Sequence, residues 1–388
     1  MKVRIAENAG FCFGAKRATD MAEAAIKGEG RLFTLGRLVH NDVYNAYLKE
    51  QGVREISAED FSEVEALLEK GEKITVLIRA HGEQNDALER LHQMERIYED
   101  LTVLDGTCPY VCKLRRIAAE NSGEGKFFLL IGAESHPEVR GVMSCCRGEG
   151  LVLADSRALE DYLFSEDGSK IGEKQISMAV QTTQNLNEWK KCWEILKKVY
   201  TNAIIFDTIC SVTEKRQAEA ASLAASSDVM LVIGSRASSN TMKLYELCQE
   251  KCPRTYLVES ARDARGITLG AADQLSITAG ASTPSSLIQE VKQTMSEQME
   301  NFEALLEQSM KTLNTGDIVE GVITSVSSNE VHLDLGAKTT GVIVRDKLVD
   351  DPSAKLTDLF KVGDVIKAKV VKVSDIDGIA TLDRKSVV

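Results

Sequence analysis

Short runs of β-branched and aliphatic residues recur along the first three-quarters of the chain. Each leads into a stretch where apolar residues return every three or four positions. The runs at 2–6, 32–36, 74–78, 101–105, 127–132, 176–180, 203–207, 229–234 and 275–278 have the length and residue types of strands. Strand and helix patterns in alternation predict parallel α/β units, three of them, at about 1–100, 101–200 and 201–284. From 285 to 312 the pattern is a single amphipathic helix. Leu287, Ile288, Val291, Met295, Met299, Phe302, Leu305 and Leu306 form its one apolar stripe. After Gly316 the period changes to that of strands, at 317–323, 330–335, 340–344, 364–373 and 379–382. Five strands in so short a span predict a small all-β OB-type barrel over 313–388.

The polar residues that interrupt this pattern sit at corresponding places. Cys12, Cys108 and Cys210 each follow a short strand and precede a helix, at intervals of about one hundred residues. The second strand of each unit runs into His40-Asn41, into His136-Pro-Glu138 and into Ser238-Ser239-Asn240. The third runs into His81-Gly82, into Gln181-Thr182-Thr183 and into Gly280-Ala281-Ser282. Parallel sheets bind ligands beyond the carboxyl ends of their strands. Three such units about a pseudo-threefold axis aim three cysteines and three polar sets at one centre.

Composition narrows what that centre holds. The chain has 388 residues, a formal charge of −12 and nine cysteines. The acidic balance argues against a uniform nucleic-acid binder. The absence of a long apolar run predicts no membrane span, and the polar start predicts no export signal, so the expected location is the cytoplasm. There, cysteines serve metal or redox chemistry more often than disulfides. Three converging thiolates suit zinc or an iron–sulfur cluster. Structural zinc usually takes four protein ligands, often from local Cys-x-x-Cys pairs, and the chain has no such pair. A [4Fe–4S] cluster on Cys12, Cys108 and Cys210 leaves one iron open to a substrate oxygen. Cys112, Cys145, Cys146, Cys192, Cys248 and Cys252 are expected to be packing residues. Hydroxyl, amide and imidazole groups beside helix N-termini make a phosphate or diphosphate cradle.

Eight segments, in order, resemble the 4-hydroxy-3-methylbut-2-enyl diphosphate reductases, the IspH/LytB family. They are 10–18 around Cys12, Val39-His-Asn41, Arg79-Ala-His-Gly82 and Asp105-Gly-Thr-Cys-Pro109, then His136-Pro-Glu-Val139, Gln181-Thr-Thr183, 234–240 and 278–284. The resemblance covers about residues 1–284. It implies a reductive dehydroxylation that turns an allylic alcohol diphosphate into isopentenyl and dimethylallyl diphosphate. It implies Cys12, Cys108 and Cys210 as cluster ligands. It implies His40, His81, His136, Ser238, Ser239, Asn240 and Ser282 as the diphosphate pocket. Glu138 matches the acid that relays protons and Thr182 its hydrogen-bond partner. The implied electron donor is a reduced ferredoxin or flavodoxin. Ala80, Arg140 and the Cys145-Cys146 pair depart from the usual pattern without touching an implied ligand.

The segment 313–388 resembles the S-one-type RNA-binding repeat through Gly316-Asp317, Gly321, 334–336, Gly341, 362–364 and 382–384. Its aromatic residues reduce to Phe360 apart from His332, and acidic residues outnumber Lys and Arg, so weak RNA binding is expected. Two competing readings remain for the whole chain. One is a hydro-lyase with a three-cysteine cluster. The other is a translation-linked RNA-binding protein with a redox-sensing cluster.

Overall fold

A computed structural model describes residues 3–270, 272–309, 313–335, 339–351, 354–374 and 379–387, with the side chains of 301–309 excepted. Lys2, Gly336 and the side chains of Phe302, Leu305 and Leu306 therefore lie outside the described residues. The chain forms two compact units, Met1–Ser296 and Glu297–Val388.

In the first unit, β1 (Val3–Ile5) stands apart in sequence from its sheet. Next come β2 (Arg31–Leu35), β3 (Arg54–Ile56), β4 (Ile74–Ile78) and β5 (Leu101–Asp105), which pair in the order β3-β2-β4-β5. The strands β6 (Lys126–Ile131), β7 (Glu149–Leu153), β8 (Gln175–Val180) and β9 (Ile204–Ile205) repeat it as β7-β6-β8-β9. The third sheet uses β10 (Val229–Ile233), β11 (Thr255–Val258) and β12 (Leu275–Ala279), and β1 supplies its fourth strand in the order β11-β10-β12-β1. All of these pairings are parallel.

Alternate side chains of each strand enter different cores, as the pleat requires. In the first sheet Phe33, Leu35, Val76 and Ile78 pack on one face with Phe61, Leu91 and Met94, while Leu32 and Leu77 pack on the other with Ala18 and Ala22. In the second, Phe127, Leu129 and Ile131 face Trp189 and Leu196, whereas Phe128 and Leu130 face Leu114 and Ala118. Burial on both faces explains why these strands are continuous apolar runs.

The sheet membership of the cysteine strands is not what the sequence order suggests. β5, which leads to Cys108, belongs to the first sheet, yet the helix after it, Pro109–Glu120, packs on the second. β9 belongs to the second sheet, and the helix after Cys210, Ser211–Ala225, packs on the third. β1 belongs to the third sheet, and the helix after Cys12, Phe13–Ile26, packs on the first. Each cysteine thus sits where the chain crosses from one sheet to the next, and the three crossings close a ring.

The helix Ser285–Ser309 begins in this unit, with Leu287, Ile288, Val291 and Met295 buried. In the second unit β13 (Ile318–Val326), β14 (Glu330–Asp334), β15 (Thr340–Val344), β16 (Val365–Ser374) and β17 (Ile379–Asp383) close a barrel in the order β13-β14-β15-β17-β16. Its core holds Ile323, Val331, Leu333, Ile343, Val370 and Leu382. Register shifts between Ile323 and Ser325, and between Val370 and Lys372, supply the extra bend that closure needs.

Candidate functional site

The ends of the strands of all three sheets open on one cavity of about 710 Å³, counting its mouth. Cys12, Cys108 and Cys210 line it, as do His40, His81, His136, Glu138, Thr182, Ser238, Ser239, Asn240 and Ser282. Every residue that the resemblance implies as a cluster ligand, as part of the diphosphate pocket or as the acid and its partner is therefore at this one place.

The three cysteines are held alike. Each is the residue before its helix, in extended backbone. Each backbone N–H donates to a carbonyl just past the strand that pairs with the cysteine's own strand in the same sheet. Cys12 donates to Ala281 (3.1 Å), Cys108 to Ala80 (2.9 Å) and Cys210 to Thr182 (3.1 Å). All three are free thiols, half-buried. The Cys12 sulfur accepts from the Ala15 N–H and the Cys210 sulfur from the Thr213 N–H, each at 3.4 Å. Helix N-termini favour the thiolate form. Burial nevertheless pushes the Cys108 thiol up to about 11, and the Cys12 and Cys210 sulfurs add to that rise. Gly14 leaves room for the Cys108 sulfur, because a Cβ there would lie 2.7 Å from it.

The histidines converge from two sheets. Ring centroids are 4.8 Å apart for His40 and His81, 5.3 Å for His81 and His136, and 5.7 Å for His40 and His136. Burial, reinforced by Arg37 and Arg79, lowers His40 to about 4. Burial lowers His136 to about 4 as well, helped by His40, Arg79 and Arg140. His81 is driven well below its usual range, first by burial and then by the other two rings. All three are neutral near pH 7. His40 Nε2, His81 Nδ1 and Asn240 Nδ2 are buried without a hydrogen-bond partner among the described residues. Buried polar atoms are normally paired, so this cluster of unmet groups is shaped for something polar.

Glu138 lies in the first turn of the short helix Pro137–Met143, whose N-cap is His136. Its carboxyl is 1% exposed. It accepts from the Thr182 N–H at 2.7 Å and from the Thr182 hydroxyl at 2.9 Å. Burial raises it to about 7, although the Thr182 bonds pull the other way. A carboxyl near 7 both gives and takes protons at neutral pH.

Some features of the site were not visible in the sequence. Arg216 lines the cavity, 2% exposed, and Thr183 links to Ser239 at 3.4 Å between hydroxyls. Nothing in the local pattern around Arg216 distinguishes it from a solvated helix residue. Of the remaining cysteines, Cys192, Cys248 and Cys252 are buried in cores, but Cys112 is exposed rather than packed, because its helix turns that face outward.

The comparisons with known proteins agree with this architecture. The model of the S1 RNA binding domain matches residues 312–382. A Clostridium acetobutylicum protein named 4-hydroxy-3-methylbut-2-enyl diphosphate reductase is 34% identical over 99% of this chain. The chain spans 58% of that relative, and 56% of a 30% identical Clostridium tetani protein of the same name. A relative of that name from Caldanaerobacter subterraneus is 38% identical, with 75% of this chain and 95% of the relative aligned. A solved (E)-4-hydroxy-3-methyl-but-2-enyl diphosphate reductase, 33% identical, is covered in full by 76% of this chain, with a TM-score of 0.53. The fold is shared by a Plasmodium falciparum enzyme at 23% identity, with a TM-score of 0.64 over 75% of this chain and 86% of that one. The model of the LytB protein family matches residues 3–296, and with this cavity at the centre of the matched region, the chain belongs to that family.

Proposed function

We propose that this chain reduces (E)-4-hydroxy-3-methylbut-2-enyl diphosphate to isopentenyl and dimethylallyl diphosphate. Two electrons and two protons enter, the allylic C–O bond breaks and water leaves. The observation that carries this reading is the meeting of three thiols, three neutral imidazoles and one protonatable carboxyl in a single cavity. The relatives' names support the same reading.

Cys12, Cys108 and Cys210 would hold a [4Fe–4S] cluster. The residues fit such a group in three ways. The thiols stand at three helix starts around one space. The Cys108 thiol is pushed up to about 11, so a cationic partner must draw its proton off. The buried Arg216 Nη1 at the same cavity has no hydrogen-bond partner among the described residues, which suits an anionic thiolate-ligated body. When bound, the cluster supplies single electrons and an open iron as Lewis acid.

The other roles follow from placement. His40, His81, His136, Ser238, Ser239, Asn240 and Ser282 bind and orient the diphosphate. Its negative charge raises the three imidazoles toward protonation, and Arg37, Arg79 and Arg140 add positive potential behind them. Glu138, held by Thr182, delivers a proton to the departing hydroxyl, since hydroxide alone is a poor leaving group. A reduced ferredoxin or flavodoxin would supply the electrons.

A reaction monitored anaerobically tests this. Oxidation of a reduced viologen by the iron-loaded chain should depend on the hydroxylated butenyl diphosphate. Fully loaded protein that gives no such dependence removes the assignment.

The S1 match favours a further RNA-binding role for the barrel. The barrel's own surface makes such binding weak. Phe360, the aromatic residue on which a base would stack, already carries the Arg384 guanidinium 5.3 Å from its ring. Titration of the full chain with single-stranded RNA at increasing salt tests it, and tight binding at 150 mM salt would return the translation-linked reading.

A further inference from the structure

Arg216 is a cation buried in the first unit. It sits on the second turn of the helix that Cys210 begins, and it is 2% exposed. Its Nε donates to the carbonyl of Asn8 and its Nη2 to the carbonyl of Gly10, both at 2.7 Å. One turn further on, Glu219 accepts from the backbone N–H groups of Glu7 (2.6 Å) and Asn8 (2.9 Å). The Cys210 helix thus grips both polar edges of the loop that carries Cys12. The third nitrogen, Nη1, is buried on the cavity wall without a hydrogen-bond partner among the described residues. Two of the three guanidinium nitrogens explain the loop; the charge and the third nitrogen remain to be explained.

Burial works against the guanidinium charge, and what sustains it is the Cys12 and Cys210 sulfurs together with Glu219. A lone charge in such a place is costly unless a counter-charge faces it. We infer that Arg216 is a positioning and tuning residue for the iron–sulfur centre: its fork fixes the Cys12 loop against the Cys210 helix, and its fixed charge raises the centre's reduction potential. The inference rests on the cluster reading given above. Three thiolates make the bound centre anionic, and each electron it accepts adds one negative charge. A nearby fixed cation stabilises the reduced form more than the oxidised one, and net charge and hydrogen bonds to sulfur are the recognised levers on such potentials. Lysine keeps the charge and loses the fork; glutamine loses the charge and keeps part of the hydrogen bonding.

Arg216→Gln and Arg216→Lys, loaded with iron and sulfide under nitrogen, separate the two roles. The midpoint potential is read by dithionite titration of the spin signal of the reduced centre, with far-ultraviolet circular dichroism to check the fold. At the wild-type midpoint, the reduced-to-oxidised ratio of Arg216→Gln should fall roughly tenfold or more. Arg216→Lys should stay within about threefold of the wild type while loading less iron, because its loop is less well held. A fully loaded Arg216→Gln with the wild-type midpoint overturns the tuning role. Folded variants that both fail to load also overturn it, leaving Arg216 as a loop clamp. A wild-type chain that takes up no iron and sulfide instead removes the cluster reading itself, independently of Arg216.

Discussion

Replacing Glu138 with glutamine should change the stability of the cluster-free protein in a pH-dependent way. The carboxyl is 1% exposed and rises from 4.5 to about 7 on folding, chiefly through burial. A raised carboxyl favours folding fully below pH 4.5, where it is protonated in both states. That contribution is lost as pH rises through about 7, because the folded state must then bury a charge that the unfolded chain hydrates. At ~1.4 kcal/mol per pKa unit, the full effect is about 3 kcal/mol. Between pH 5 and pH 8 roughly 2–3 kcal/mol of it is sampled. Glutamine mimics the protonated acid. Its carbonyl oxygen still accepts from the Thr182 N–H, and its amide donates to the reoriented Thr182 hydroxyl. Relative to wild type, Glu138→Gln should therefore gain roughly 2–3 kcal/mol between pH 5 and pH 8. Urea unfolding of both proteins at the two pH values gives the difference directly. A gap between them that stays within ~0.5 kcal/mol across this range would mean that Glu138 is not buried as a neutral acid. The same variant, once loaded, should lose roughly 10²–10⁴ in turnover, as the proton-relay role proposed for Glu138 requires.

Cys210→Ser should lower bound iron and sulfide to under about half of wild type after anaerobic reconstitution; full content would remove Cys210 as a ligand. Gly14→Ala places a Cβ 2.7 Å from the Cys108 sulfur. It should cost ~1–3 kcal/mol in urea unfolding and reduce iron loading, and unchanged loading with unchanged stability would mean the helix start yields freely. Inorganic diphosphate should be taken up with protons at pH 7, because His40 and His136 lie near 4 in the empty pocket and rise beside an anion. Titration calorimetry in buffers of different ionisation enthalpy measures this, and heats independent of buffer would refute the neutral-imidazole pocket.

The inner strands were legible because burial on both faces makes them unbroken apolar runs, as in 127–131 and 229–233. The outer strands β3, β7 and β11 were not recognised. Arg-Glu-Ile, Glu-Gly-Leu-Val-Leu and Thr-Tyr-Leu-Val are short and partly exposed, and they resemble the loops around them. The site was legible to the extent that its residues stand at strand ends, where polar groups break an apolar pattern. Glu138, His136 and the cysteines all do so. Arg216 does not, because it acquires its meaning from Asn8 and Gly10, at the far end of the first unit in sequence. The crossing of the cysteine strands into neighbouring sheets was hidden for the same reason: it is a property of pairing partners, and the strands' own residues carry no mark of it.

The pairing of β1 with β12 governs how the molecule can be made. Val3 is in register with Leu275, and the Cys12 N–H is held by Ala281. Until the ribosome has delivered those residues, the first cysteine has neither its sheet nor its anchor. At ~5–20 residues per second, Cys12 waits on the order of a quarter-minute to a minute after its own synthesis. The first two sheets can form during that interval, but the ring cannot shut. The cavity that all three cysteines line is therefore completed late in biogenesis, and until then one of its three thiols is still loose.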